Sequence, residues 1–168
     1  MPGAPLSIDS VHALLQNHVQ KIPDKEAIVS VDPDQDSAFT LSYKKFIDLI
    51  YRTAKYLADL GIKKGDRFAI LMHNAPEILI FELAGSLIGA TTVPLDFKRD
   101  TKDRKIYKLQ DTAAKALFIK YEELENLEEQ KQIKKECPKL TIVAWRQFQE
   151  FQKLLPPEVI NHDKIIHS

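Results

Sequence analysis

A single cysteine, Cys137, stands in 168 residues, so no disulfide can form within the chain. That usage suits a reducing compartment, and the expected setting is a soluble, cytoplasmic protein. Cys137 precedes Pro138 in a Lys- and Glu-rich stretch with no base beside it in sequence, which argues for an inert thiol over a nucleophile. Net charge is missing too, because 24 Lys and Arg balance 24 Asp and Glu. No overall field draws such a chain to nucleic acid or to an anionic membrane. Long hydrophobic runs are absent. The most apolar stretch, 78–90, is interrupted by Glu82 and is too short to span a bilayer. The first residues lack the basic-then-apolar order of a signal peptide. Glycine is scarce: Gly3, Gly61, Gly65, Gly85 and Gly89 are all there is. None lies in a Ser/Thr/Gly-rich loop of the kind whose backbone N–H groups cradle phosphates.

What is present is an ordinary globular balance, 44% hydrophobic and 29% charged residues. A chain of this length can remove roughly two thirds of its unfolded surface from water, enough for one α/β core. The apolar spacing of Ile8, Val11, Leu14, Leu15 and Val19 predicts a helix over 8–20, capped by Asp9 or Ser10 and stopped by Pro23. Glu26–Val31 and Ala38–Leu41 flank the turn-forming run 32–37 and predict a β-hairpin. Ser42 then caps a helix over 43–60, whose apolar face is Phe46, Ile47, Ile50, Ala54, Leu57 and Ala58. Gly61 follows its last turn, where a left-handed cap favours glycine.

From there strand and helix alternate. Strands are expected at 67–72, 91–95, 114–120 and 140–145, with a fifth beginning at 164–167. Helices are expected at 76–88 (capped by Asn74, with Pro76 in its first turn), 100–111 (capped by Asp100), 121–136 and 148–155. The helix over 76–88 is apolar on most sides and should be buried. Leu124, Leu127 and Ile133 form the narrow apolar side of 121–136, which otherwise reads as a solvated helix. Alternation of this kind implies a parallel sheet with helices on its faces. The fold class is therefore α/β. Residues 1–62 form a helix, hairpin and helix adjunct, and residues 63–168 form the parallel α/β unit.

Three segments then arrive in a particular order: Thr40-Leu-Ser-Tyr43 leading into a helix, Leu60-Gly-Ile-Lys-Lys-Gly-Asp-Arg-Phe-Ala-Ile70 followed by Asn74-Ala-Pro-Glu77, and Gly89-Ala-Thr-Thr-Val-Pro-Leu-Asp96. Ile22–Ile28 and Asp111–Phe118 fit the same pattern. Together they resemble the N-terminal region of the AMP-forming acyl-adenylate synthetases, which include acyl-CoA synthetases, luciferases and peptide-synthetase adenylation domains. The resemblance runs from about residue 10 to 145. One departure is Lys45, which stands where the family usually has the glutamate that closes a capping box on Ser42, so a weaker helix start is expected.

The resemblance implies a parent enzyme that activates a small carboxylic acid, here a fatty acid, with ATP and magnesium and passes the acyl group to coenzyme A. It places the phosphate loop just beyond this region, with Ser168 at its start as the cofactor-binding residue of this chain. The later ribose-binding aspartate, the hinge and the C-terminal catalytic lysine of the family are not found here. The expectation is a structural fragment without catalytic residues, metal ligands or chemistry of its own, whose partner is the remainder of the enzyme, with a homodimer as a further option. The competing reading is a free-standing, non-catalytic interaction module derived from the same family.

Other residues favour bland roles. His12 and His18 are six apart and do not share a helical face for a metal, and His162 and His167 have no cluster of ligands around them. His73 could line a crevice at the carboxyl end of the first parallel strand, though a loop role is favoured. Trp145, Phe148 and Phe151 read as core against residues of a longer protein. Asp96, Lys98 and Arg99 read as a solvated loop in preference to a phosphate contact.

Overall fold

The structure, a computed structural model, describes residues 10–32, 37–120 and 127–157. Helix α1 (Val11–Lys21) begins at Ser10, whose hydroxyl accepts from the Ala13 N–H. Strands β1 (Glu26–Asp32) and β2 (Ser37–Ser42) pair antiparallel, with Val29 opposite Thr40 and Val31 opposite Ala38. Helix α2 (Tyr43–Asp59) follows directly. Its Ser42 cap is long, 3.3 Å to the Lys45 N–H, and Lys45 turns its ammonium to Asp48. The first donors of α2 are instead taken by the Lys25 and Pro23 carbonyls, so the preceding loop supports the start that the lost capping box leaves weak.

Four parallel strands form the main sheet: β3 (Arg67–Leu71), β4 (Thr91–Leu95), β5 (Ala116–Lys120) and β6 (Thr141–Trp145), in the spatial order β4-β3-β5-β6. Burial follows that order. Central β3 and β5 are buried almost throughout, and outer β4 and β6 are exposed or half-buried up to their buried last residues, Leu95 and Trp145. Pro94, which cannot donate to a ladder, sits in the outer strand β4 opposite Ile70.

Helices cover both faces. α2 and α3 (Pro76–Ile88) pack on one, with Ile50, Leu57, Ile80, Phe81 and Ala84 against Phe68 and Phe118. On the other face, α4 (Lys102–Asp111) and α5 (Leu127–Glu136) place Ile106, Leu109 and Ile133 against Ala69, Leu71, Leu117 and Ile119. The adjunct of α1, hairpin and α2 thus shares its core with the sheet. Each fully buried aromatic there contributes about 1.5–3 kcal/mol from burial.

Several expectations change. Asn74 does not cap α3: the cap position is Ala75, with no side-chain bond, and Pro76 in the first turn spares one of the orphan donors. Thr101, not Asp100, caps α4 by accepting from the Arg104 N–H, since Asp100 is drawn inward to Lys108 and Arg104. Leu127 is exposed and Ile133 alone is buried on α5, while Leu124 lies outside the described residues. Trp145 and Phe151 are core within this chain: α6 (Phe148–Leu154) packs the Phe151 ring at a tilt against Trp145, centroids 5.3 Å apart, and against Phe81 at 5.6 Å. The expected fifth strand over 164–167 lies outside the described residues.

Candidate functional site

In an open α/β sheet, ligands bind beyond the carboxyl ends of the strands where the strand order reverses. Here that point lies between β3 and β5, because the chain leaves β3 through α3 on one face and leaves β5 toward α5 on the other. The rim is built from 72–77 after β3, 96–101 after β4, Lys120 at the end of β5 and Trp145 at the end of β6.

The loop after β4 is organised by its own carboxylates. Asp96 Oδ1 accepts from the Lys98 and Arg99 N–H groups, both at 2.8 Å. Those two bonds, Arg99 first, hold its carboxyl below the ordinary carboxylate range. Asp100 accepts from the Asp96 N–H and pairs with Lys108 and Arg104. Burial pushes the Asp100 carboxyl up, but the Lys108 bond, the Asp96 N–H and Arg104 outweigh it and leave it below the ordinary value. His73 and Phe97 bring their rings to 4.2 Å, joining the loops after β3 and β4, and the Lys105 ammonium lies 5.8 Å from the Phe97 centroid.

Glu77 in the first turn of α3 is a residue that pattern reading passed over. Its side chain is 0% exposed, and Oε1 lies 2.9 Å from the Lys120 ammonium and 3.2 Å from the Trp145 indole N–H. Oε2 is buried and has no partner among the described residues. Lys120 and Trp145 are paired neighbours in the β5–β6 ladder. One carboxylate therefore ties two adjacent strand ends to the start of α3. In sequence the three lie far apart, so only their residue types, a Glu in the first turn of a mostly apolar helix and a Lys closing an apolar strand, hinted at the contact.

The other candidates are placed plainly. His12 binds the Tyr51 hydroxyl at 2.7 Å, and His18 stacks on Tyr43, so both serve the α1–α2 contact. Cys137 is half-buried, and burial followed by Glu136 pushes its thiol up. His162, His167 and Ser168 lie outside the described residues. Among the described residues, no group of three or more His, Cys, Asp or Glu could hold a metal ion. No described helix is long and apolar enough to cross a membrane. The described glycines do not fit a nucleotide cradle. Gly65 N–H bonds to the Gly89 carbonyl at the amino end of the sheet, Gly61 follows α2, and Gly85 presses on Phe68. An open groove of about 510 Å³ lies between α4 and α5, lined by Lys102, Glu128, Glu129, Lys131 and Lys135. Its mixed charges make no convergent site.

The doubly wound sheet and its rim, with the three quoted segments forming the adjunct helix start, the β3 entry and β4, invite comparison with known proteins. A family model described as AMP-binding enzyme matches residues 15–164. The chain belongs to that family. Curated relatives include the oxalate–CoA ligase of Arabidopsis thaliana, 33% identical over 68% of this chain and 21% of that protein. The acetyl-coenzyme A synthetase of Escherichia coli K12 is 40% identical over 45% of this chain and 12% of that protein. The chain therefore spans only a minor part of these curated relatives' length. Among solved structures, a Mycobacterium tuberculosis fatty acyl CoA synthetase superposes with a TM-score of 0.70 at 23% identity, over 91% of this chain and 29% of that one. An anthranilate CoA ligase in complex with anthranoyl-AMP gives 0.70 at 19% identity, over 89% of this chain and 28% of that one. At these identities the superpositions establish the fold, an N-terminal α/β unit shared by AMP-binding enzymes.

Proposed function

We propose that this AMP-binding family chain is the N-terminal part of an ATP-dependent acid–thiol ligase, and that it supplies architecture, with the chemistry residing in the remainder of the enzyme. The observation that carries this reading is the family match over 15–164 on a chain that covers only 21% of the oxalate–CoA ligase and 12% of the acetyl-coenzyme A synthetase it resembles. The complete enzyme would join a carboxylic acid to AMP with release of pyrophosphate, then pass the acyl group to the thiol of coenzyme A. A fatty acid is the proposed substrate, supported by the fatty acyl CoA synthetase among the structural neighbours. Oxalate and acetate are the competing acids that the curated relatives suggest for comparison. A cytoplasmic setting is part of the proposal, supported by the lone cysteine.

The test is acid-dependent ATP–pyrophosphate exchange on the complete gene product and on this chain alone, with fatty acids, oxalate and acetate in turn. Exchange by the complete product and none by the chain is expected. Exchange sustained by the chain alone would refute the architectural role. A complete product that activates no acid would refute the ligase reading.

A further inference from the structure

Among the described residues, the Glu77–Lys120–Trp145 cluster is a polar assembly at the carboxyl rim whose role the architecture leaves open. The groups around it are apolar: Trp145 stacks on Phe81 at 5.8 Å and meets Phe151 at a tilt, 5.3 Å between centroids. In such surroundings this ion pair stabilises the fold little compared with apolar side chains of similar volume, because the Glu77 carboxylate leaves water entirely while the Lys120 side chain stays 21% exposed. Glu77 also keeps one buried oxygen without a donor among the described residues, a further penalty that a cluster present for stability alone should have removed. What the cluster does provide is direction. Oε1 of one side chain fixes the last residue of β5 and the last residue of β6 against the first turn of α3, which follows β3 by only a few residues. The helix N-terminus favours that carboxylate electrostatically.

We propose that Glu77 is a positioning residue for acid activation: through Lys120 and Trp145 it sets where the chain leaves β5 and β6, and so sets the ligand-facing rim at the switch point of the sheet. This rests on the ligase reading above. The distinguishing variant is the apolar triple Glu77→Leu, Lys120→Met, Trp145→Phe in the complete gene product. Its melting temperature should equal or exceed that of the parent, while kcat for acid-dependent pyrophosphate exchange falls at least tenfold. The double variant Glu77→Gln, Lys120→Met removes both charges but keeps an amide acceptor for the indole. It should retain the buried-tryptophan emission of Trp145 and lose less activity than the triple. Should the triple not fold, the double carries the test, with a threefold or larger loss of kcat expected. A folded triple or double with parental kcat and KM would overturn the proposal. A parent with no exchange toward any acid would instead overturn the ligase reading, so the two failures are told apart by the parent's own activity.

Discussion

Gly85 lies inside α3, where alanine would normally be the better residue, and its replacement sets two effects of known size against each other. A Cβ built there would meet Phe68 Cε1 at 2.9 Å and Cζ at 3.0 Å, with the Ala90 carbonyl oxygen at 3.3 Å. The Phe68 ring has little freedom to withdraw. It is fully buried, lies edge-on to Phe118 at 5.8 Å and contacts Phe81 at 6.1 Å. The Ala90 N–H is also bonded to the Gly85 carbonyl, so the helix end cannot slide away without losing its cap. Gly→Ala gains about 1 kcal/mol of helix propensity. Overpacking a tight core costs about 1–3 kcal/mol, and two ring carbons inside contact distance place this site in the upper half of that range. Gly85→Ala should therefore lose about 1–2 kcal/mol net, a melting shift of about 2–8 °C for a chain of this size. Urea unfolding followed by the emission of Trp145 measures it. The companion Gly85→Ala, Phe68→Leu should be less destabilised than the sum of the single changes, because leucine vacates the space that the new methyl needs. A Gly85→Ala chain as stable as the parent would show that the Phe68 ring yields, and would refute the reasoning.

Other changes test the remaining assignments. Asn74→Ala should alter stability by less than about 0.5 kcal/mol, since Asn74 is exposed and the cap position is Ala75; a loss near 1 kcal/mol in urea would restore Asn74 as the cap. Ser42→Ala should cost about 0.5–1 kcal/mol, toward the low end for a cap because its bond is long and the Lys25 and Pro23 carbonyls already hold the helix start. Asp100 has a folded carboxyl below its ordinary value, so its contribution is complete above about pH 4 and is lost as pH falls through the lower folded value. The parent should therefore lose stability on acidification more steeply than Asp100→Asn, as read from urea midpoints between neutral pH and about pH 3. Gly89→Ala should destabilise, because the residue sits at φ 69° and a Cβ would press on Lys64 Cγ at 2.9 Å.

Much of this protein was legible in local pattern. Helical spacing marked α1 and α2, short apolar runs marked β3 to β6, Pro76 marked the start of α3, and Gly61 and Gly89 marked the ends of helices, because amphipathic period and backbone freedom are properties of neighbouring residues. The order of the Thr40, Leu60 and Gly89 segments carried the family for the same reason. The caps of α3 and α4 differ from the pattern because Asp100 turns inward to Lys108, and because α3 starts one residue late for Asn74, with Ala75 at its cap position.

Tertiary structure alone decided the rest. That β3 lies between β4 and β5, and so where the sheet reverses, is a matter of which strands meet after the helices have packed. That Trp145 and Phe151 are covered by Phe81, from the same chain but more than sixty residues earlier, depends on α6 folding back across the sheet. The Glu77 contact to Lys120 and Trp145 joins side chains from three elements, and no local period encodes a meeting of that kind. Sequence determined the elements, whose causes act over a turn or a hairpin; the rim, where function is expected, was decided by contacts whose partners are distant in the chain and close only when folded.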